Sequence, residues 1–338
     1  MPPIDNPVVI ACAADERYVM PLAVMLASLT ARLEPSRPVS VYVLSRGIAE
    51  EDRRRLAGSL QRDDVDLHWL DVTTGAFSDL PVWGRMSTAT YHRLMLPALL
   101  PPSIDRLIWL DCDLVVNADL ARLWAEPLEG WHALAVQDMI VPSVSSPDGI
   151  AGHAELGLDP AARYFNAGVM VVNLDLWRRD DVAGRVTDYL RAHGKDVVYW
   201  DQEGLNVVLA GRWRELDPRW NQNASVCGRS FYRPRHLDAD TYRRVVEDPW
   251  IVHFSGNLKP WALHDTGDPA RALYFRWLDR TPWAAWRPAR TVWSTAVAAY
   301  ERSRARDLIY PAEKGVLGLA RRWSAGRRRR SRRSEPTP

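Results

Sequence analysis

The stretch RLIWLDCDLVV, residues 106 to 116, places the apolar run Leu107–Leu110 directly before Asp111, Cys112 and Asp113. Read as a strand, it sets residues two apart on one face, so the two carboxylates converge. Two like charges at the end of a buried strand repel each other unless a cation sits between them. The hard oxygens of a D-x-D pattern suit Mg²⁺ or Mn²⁺, ions that usually complete their shells with phosphate oxygens. The plainer reading is a strand end whose acids cap the next helix, because such short patterns recur by chance.

Working outward, PVVIACAAD (7–15) is a second apolar run closed by a carboxylate, as a buried parallel strand is. The spacing then predicts a helix over 18–33, a strand over 39–44, a charged helix over 49–62 and a strand over 65–72. A further helix over 87–101 stops at its prolines, and a short helix near 119–125 precedes a strand over 132–138. This alternation implies an α/β fold with right-handed crossovers and a mostly parallel sheet. Ligands of such sheets bind beyond the carboxyl ends of the strands. Asp15, Asp111 and Asp138 each follow an apolar run, which gathers three carboxylates at that edge and points to a cationic ligand. Past residue 150 the pattern loosens. YFNAGVMVVNLDLWRR (164–179) reads as a Gly-containing turn, a buried strand and a helix start, with Asn166 and Gly168 placed for function. WDQEGLNVVLAG (200–211) reads as a helix capped by Asp201 and closed by Gly211.

With 338 residues, 47% hydrophobic and 25% charged, the chain has the composition of a globular protein and the length for a large core. Its net charge of +2 conceals an asymmetry: residues 276–338 carry sixteen basic and five acidic side chains, a net of +11, which leaves −9 for 1–275. We therefore expect a mildly acidic body over 1–275 and a basic, Trp/Arg-rich helical extension over 276–338 whose end lacks fixed structure. RRRRSRR attracts polyanions, and the interleaved Trp283, Trp286 and Trp293 suit an anionic membrane surface rather than nucleic acid. Cys12, Cys112 and Cys227 are odd in number and lack metal-ligand spacing, so neither a disulfide framework nor a zinc site is indicated, which favours a reducing compartment. No basic segment precedes the first apolar run, and no apolar run reaches the ~18 residues of a membrane span. The expected location is cytoplasmic, peripheral on the inner face of the cell membrane.

IVHFSGNLKPW (251–261) carries the second chemical signal. His253 follows a strand-like run, Gly256 permits close backbone approach, and Lys259 is one of three lysines against forty-one arginines. A compact ammonium in a small-residue loop fits phosphate contact. An imidazole beside two carboxylates favours Mn²⁺ over Mg²⁺. Trp261, next to Pro260, is placed to pack the His253 loop against the site. The plainer alternative is a satisfied core histidine followed by a turn.

In order along the chain, AADERY, TYHRL, LDCDLVV, YFNAGVMVVNL, DQEGLN and HFSGNLKPW resemble the motifs of glycosyltransferase family 8, the retaining UDP-sugar transferases. The resemblance implies a GT-A fold and transfer of galactose or glucose from a UDP-sugar to a glycan or lipid-linked sugar acceptor. It assigns Asp111, Asp113 and His253 as Mn²⁺ ligands. It places Ala13, Asp15 and Tyr18 at the uridine, Gly256 and Lys259 at the diphosphate, and Arg93 near the phosphate and sugar. Asp138, Asn166, Asp201 and Gln202 would surround the transferred sugar, with Asp138, Asp201 and Gln202 the catalytic candidates. The family often has Asn where Arg17 stands and Asp where Glu203 stands. Gln202 is implied on the lower face of the sugar, yet an amide is a poor nucleophile. Front-side attack, with the leaving phosphate taking the acceptor's proton, is the expected route. A nucleotidyltransferase would show a Gly- and basic-rich phosphate loop after the first strand, and AADERYVMPL has none. A non-catalytic polyanion- or membrane-binding protein would not need Asp111, Asp113 and His253.

Overall fold

The computed structural model describes residues 7–303 apart from 36, 73, 74, 76, 81, 83–87, 228–231, 233, 257, 258 and 263–267. The RRRRSRR segment of the expected membrane contact lies outside the described residues.

Strand β1 (Val8–Asp15) is apolar on both faces and buried along its length, as the centre of a parallel sheet requires. Asp15 accepts from Arg17 N and starts a single 3₁₀ turn, Glu16–Tyr18, that leads into α1 (Val19–Thr30). Helix α1 is buried on nearly every side. Strand β2 (Val39–Arg46) precedes α2 (Glu50–Ala57), which has three acids in its first turn and Arg54 and Arg55 in its last, the arrangement its dipole favours. It ends at Gly58, short of the expected residue 62. Strand β3 (Val65–Asp71) completes this half.

The helix expected over 87–101 divides into a 3₁₀ segment, Thr88–Met95, and a short α3 (Leu96–Leu99). Pro97 has no N–H to offer the carbonyl of Arg93, so one continuous α-helix cannot run through it. Next come β4 (Arg106–Leu110), β5 (Leu114–Val116), α4 (Leu120–Trp124) with Asp119 as its N-cap, and β6 (Ala133–Gln137). Strand β7 (Phe165–Asn173) runs into α5 (Leu174–Arg179) and α6 (Val182–His193). After α7 (Trp200–Val208) follow β8 (Trp213–Glu215), β9 (Gln222–Asn223), α8 (Ala239–Glu247), β10 (Ile251–His253), α9 (Pro269–Leu278) and α10 (Val292–Arg302).

Seven strands form the main sheet in the order β3-β2-β1-β4-β7-β6-β8, with β7 antiparallel to both neighbours and every other adjacent pair parallel. A second sheet, β5-β10-β9, stands apart from it. This is the α/β arrangement expected, with three further differences. The quoted 106–116 stretch is not one strand: β4 ends at Leu110, and the chain crosses to the second sheet through Asp111, Cys112 and Asp113. Cys112 turns inward there and its thiol reaches the Ala13 carbonyl at 2.9 Å. Gly168 lies within β7 rather than in a turn. Asp201 is not the N-cap of α7, which is Tyr199; Asp201 sits in the first turn with its carboxylate committed elsewhere.

Strand β7 also bulges. Its register on β6 slips between Ala135 and Val136, so residues 167–169 have no partner there. At the other end of the chain, Pro282 and Trp283 dock on α2: Arg55 donates to the Pro282 carbonyl at 3.0 Å, and its guanidinium lies 4.0 Å from the Trp283 ring centre. Among the described residues no helix is long and apolar enough to cross a membrane.

The second sheet is tied to α1 by one buried hydroxyl. Ser28 Oγ donates to the Met25 carbonyl at 2.9 Å and accepts from Val116 N at 3.0 Å. Ser28→Ala strands that N–H in the core and is expected to lower the unfolding free energy by about 1–3 kcal/mol. Urea denaturation with an unchanged m-value checks this; an unaltered midpoint would show that the N–H finds another partner.

Candidate active site

The carboxyl ends of the parallel strands meet in one cavity. Asp15 closes β1, Asp111 follows β4 and Asp138 follows β6, and all three line it. Ala13, Tyr18, Arg93, Asp113 and Asn166 line the same cavity, as do Asp201, Gln202, His253, Gly256 and Lys259. Every site residue singled out in the sequence therefore lies at one place, although they come from segments up to 246 positions apart in the 338-residue chain.

Asp111, Asp113 and His253 each offer a ligand atom within 4.8 Å of the others. Their orientation is imposed from outside. Asp111 Oδ1 accepts from Arg93 Nη2 and Trp109 Nε1, both at 2.9 Å. Asp113 Oδ2 is held by Lys259 Nζ at 2.6 Å, and Lys259 also donates to the Phe254 carbonyl at 2.7 Å. The remaining oxygens turn inward: His253 Nε2 stands 3.3 Å from Asp113 Oδ1 and 3.8 Å from Asp111 Oδ2. Two hard oxygens and one imidazole nitrogen facing a common point make a donor set suited to a divalent cation. Burial alone would raise the Asp113 carboxyl, but Lys259 and His253 outweigh it and hold the group well below the usual carboxylate range.

Two glycines admit this geometry. A Cβ on Gly168 would collide with the His253 ring, and one on Gly256 would fall 2.7 Å from Ser225 Cβ. Gly256 is a point of close approach to Ser225. Trp261 packs as expected: its ring lies edge-on to Tyr18 at 5.8 Å and against Tyr274 at 5.4 Å.

Next to the carboxylate pair lies a network of amides. Asp138 Oδ1 accepts from Ile140 N at 2.8 Å and Val141 N at 2.9 Å. Its Oδ2 accepts from Asn166 Nδ2 at 2.9 Å and Gln202 Nε2 at 3.3 Å. Gln202 Oε1 accepts from Ala167 N at 3.0 Å, so the amide is held at one end by the bulge in β7 and at the other by Asp138. Asp201 accepts from the Thr90 hydroxyl and lies 2.7 Å from Arg93 Nε, an ion pair whose angle is not that of a hydrogen bond. Burial raises the Asp201 carboxyl, and Arg93 and Thr90 oppose that shift. Arg93 itself donates to the Ala167 carbonyl and rests over Trp109, 4.7 Å from the ring centre.

A family model for Glycosyl transferase family 8 matches residues 9–265. The chain belongs to glycosyltransferase family 8. General stress protein A of Bacillus subtilis (strain 168) is 29% identical over 282 residues, covering 81% of this chain and 94% of its own. Lipopolysaccharide 1,2-glucosyltransferase of Escherichia coli (strain K12) is 23% identical over 280 residues, 81% and 78% of the two chains. The crystal structure of the galactosyltransferase LgtC with donor and acceptor sugar analogs superposes with a TM-score of 0.70 at 26% identity, covering 81% of this chain and 96% of that one. The GT-A fold expected from the motifs is thereby shown, and membership of family 8 sets aside the nucleotidyltransferase and non-catalytic readings.

Where this family 8 chain departs from the family's usual residues, the structure gives each replacement a contact. Arg17 Nη2 reaches Asp15 Oδ2 at 2.8 Å, so an exposed cation sits on the carboxylate at the end of β1. Glu203 is buried and accepts from Tyr189 OH at 2.9 Å and Val198 N at 2.7 Å, which ties the turn before α7 to α6. That turn delivers Trp200 at φ 45°, one of two positive values outside glycine among the described residues. Trp109, Thr90 and Asn221 also serve the site, and none is marked as a site residue by its place in the sequence. Trp109 was counted with the apolar run that contains it. Thr90 opens the TYHRL motif, but its partner Asp201 lies 111 positions away, and Asn221 stands in a segment with no pattern to mark it.

Two outcomes follow from the carboxylate pair. Gly168→Ala is expected to displace His253 and to lower stability by about 1–3 kcal/mol, as overpacking does; calorimetric melting measures it. The folded Asp113 carboxyl lies below its ordinary value of 3.8, so its pairing contributes stability fully above that value and loses it as pH falls toward the folded value. Asp113→Asn is therefore expected to flatten the acid side of the stability curve below about pH 4. Urea titrations across that range decide it, and parallel curves for the two proteins would refute the assignment.

Proposed function

We propose that this family 8 chain is an Mn²⁺-dependent, retaining hexosyltransferase that moves galactose or glucose from a UDP-sugar to a glycan or lipid-linked sugar acceptor. The observation that carries the reading is the convergence of Asp111 Oδ2, Asp113 Oδ1 and His253 Nε2 beside Lys259. These three residues would hold the ion, and the imidazole among them favours Mn²⁺ over Mg²⁺. When bound, the ion supplies positive charge against the leaving diphosphate. Relatives named for lipopolysaccharide 1,2-glucosyl and 1,3-galactosyl transfer, the second from Salmonella typhimurium, support an acceptor of the lipid-linked glycan kind.

In this reading the Ala13 backbone, Asp15 and Tyr18 hold the uridine, and Gly256 and Lys259 the diphosphate. Arg93 stands at the phosphate and sugar, where Asp138, Asn166, Asp201 and Gln202 receive sugar hydroxyls. The amide of Gln202 is pinned between Ala167 N and Asp138, which makes it a poor attacking group and a good fixed dipole. The acceptor oxygen therefore attacks the anomeric carbon from the leaving-group side. As the C–O bond to phosphate breaks, the departing phosphate oxygen takes the acceptor's proton, while Gln202 Oε1 and the Asp138 carboxylate support the positive charge on the ring.

The catalytic unit of this reading spans residues 1–275, and α9 carries the chain across its border into the basic extension over 276–338. A cytoplasmic chain with that extension on an anionic membrane surface would stand beside a lipid-linked acceptor. Trp286 and Trp293, 37% and 55% exposed, are the described part of such a surface.

The test is UDP release from a panel of UDP-sugars, without acceptor, with Mn²⁺ and with chelator. Slow Mn²⁺-dependent release from one donor is expected, reduced on the order of 100-fold by Asp113→Ala. No release from any donor, together with no Mn²⁺-dependent UDP binding by calorimetry, would end the proposal.

A further inference from the structure

His253 presents Nε2 to the two carboxylates, and its other nitrogen meets a residue that no motif contains. Nδ1 lies 2.9 Å from Oδ1 of Asn221, a side chain only 3% exposed. An imidazole nitrogen can donate or accept, and an amide can be turned end for end, so this contact alone does not say which atom carries the hydrogen. The surroundings do. Gly168 N–H, which can only donate, points at Asn166 Oδ1 at 2.9 Å. The opposite end of that amide, Asn166 Nδ2, donates to the Asp138 carboxylate at 2.9 Å. Turning Asn166 over would set donor against donor at Gly168 and acceptor against acceptor at Asp138. Its oxygen therefore faces Asn221, whose Nδ2 donates to it at 2.9 Å. Asn221 is fixed in turn, with its oxygen toward His253.

We propose that Asn221 is a positioning residue that keeps a hydrogen of His253 on Nδ1, so that Nε2, facing Asp111 and Asp113, is the nitrogen a divalent cation would take. The polarity runs without a break from the Asp138 carboxylate through Asn166 and Asn221 to the ring. A metal-ligating histidine commonly has its other nitrogen anchored in this way, and loss of the anchor typically weakens metal binding 10–100-fold. Here the anchor is an amide chain that begins at the proposed sugar subsite, so the tautomer of the metal ligand and the orientation of the sugar-binding groups are set together. The consequence for metal binding rests on the reading above; the tautomer does not.

Two measurements on the full chain test it. Free Mn²⁺, followed by electron paramagnetic resonance, gives the affinity of wild type, Asn221→Leu and Asn221→Asp. Asn221→Leu, with an unchanged melting curve, is expected to bind Mn²⁺ 10–100-fold more weakly. Asn221→Asp keeps an acceptor against Nδ1 and recovers most of that loss, although it gives up the contact with Asn166. Equal affinity for a folded Asn221→Leu protein overturns the proposal. The second measurement needs no metal and covers the case in which that variant does not fold: ¹⁵N spectra of the histidine-labelled wild type, with His253→Gln identifying the signal. A proton retained on Nδ1 supports the inference, and a ring protonated on Nε2 alone overturns it. If wild type binds no Mn²⁺ at all, the metal reading falls, and the ¹⁵N result decides the role of Asn221 by itself.

Discussion

The site depends on the place where β7 leaves its partner. Backbone groups freed by a bulge inside a protein must find other partners, because an unpaired buried N–H or C=O is costly. Here those partners are the site. Ala167 N goes to Gln202 and its carbonyl to Arg93; Gly168 N goes to Asn166, while its carbonyl keeps its bond on the β4 side, taking Asp111 N at 2.9 Å. Four groups of one short segment thus orient an amide, a guanidinium, a second amide and the first carboxylate. Arg93 extends the arrangement, since one buried cation faces Asp111, Asp201 and the bulge together. A charge so placed has little water to fall back on, so loss of any one carboxylate leaves it short of a partner.

Much of this was legible in the sequence, and for an identifiable reason. An apolar run that ends in Asp is a local pattern, so the gathering of Asp15, Asp111 and Asp138 at one sheet edge followed once the strands were placed. Partners supplied from far along the chain were not legible. Gly168 inside an apolar run reads as a turn, because the signal for a turn and the signal for a close neighbour are the same missing side chain; the neighbour is a histidine 85 positions away. Asp201 was misread for a similar reason. An acid ahead of an apolar helix looks like a cap, and only tertiary structure shows its carboxylate turned to Arg93 and Thr90.

Arginine dominates the basic residues of this chain, yet lysine is the cation on Asp113. The difference fits the room available. The Phe254 carbonyl and one carboxylate oxygen are met by a single Nζ at 2.7 and 2.6 Å, a point contact that a planar guanidinium does not make. Arginine is used where its plane is useful: over Trp109, between Asp111 and Asp201, and on the Trp283 ring through Arg55. Lys259→Arg is accordingly not a conservative change.

The crossing of the chain between Asp111 and Asp113 has a mechanical meaning. Asp111 is the last residue bonded to the main sheet, through Gly168, whereas the Asp113 carbonyl accepts from Phe254 N at 2.9 Å, just beyond the second sheet's His253. The three side chains proposed to hold a cation therefore belong to two sheets and stand on either side of a seam. A cation held by all three would act as a rivet across it, and by mass action would add to the stability of the folded chain.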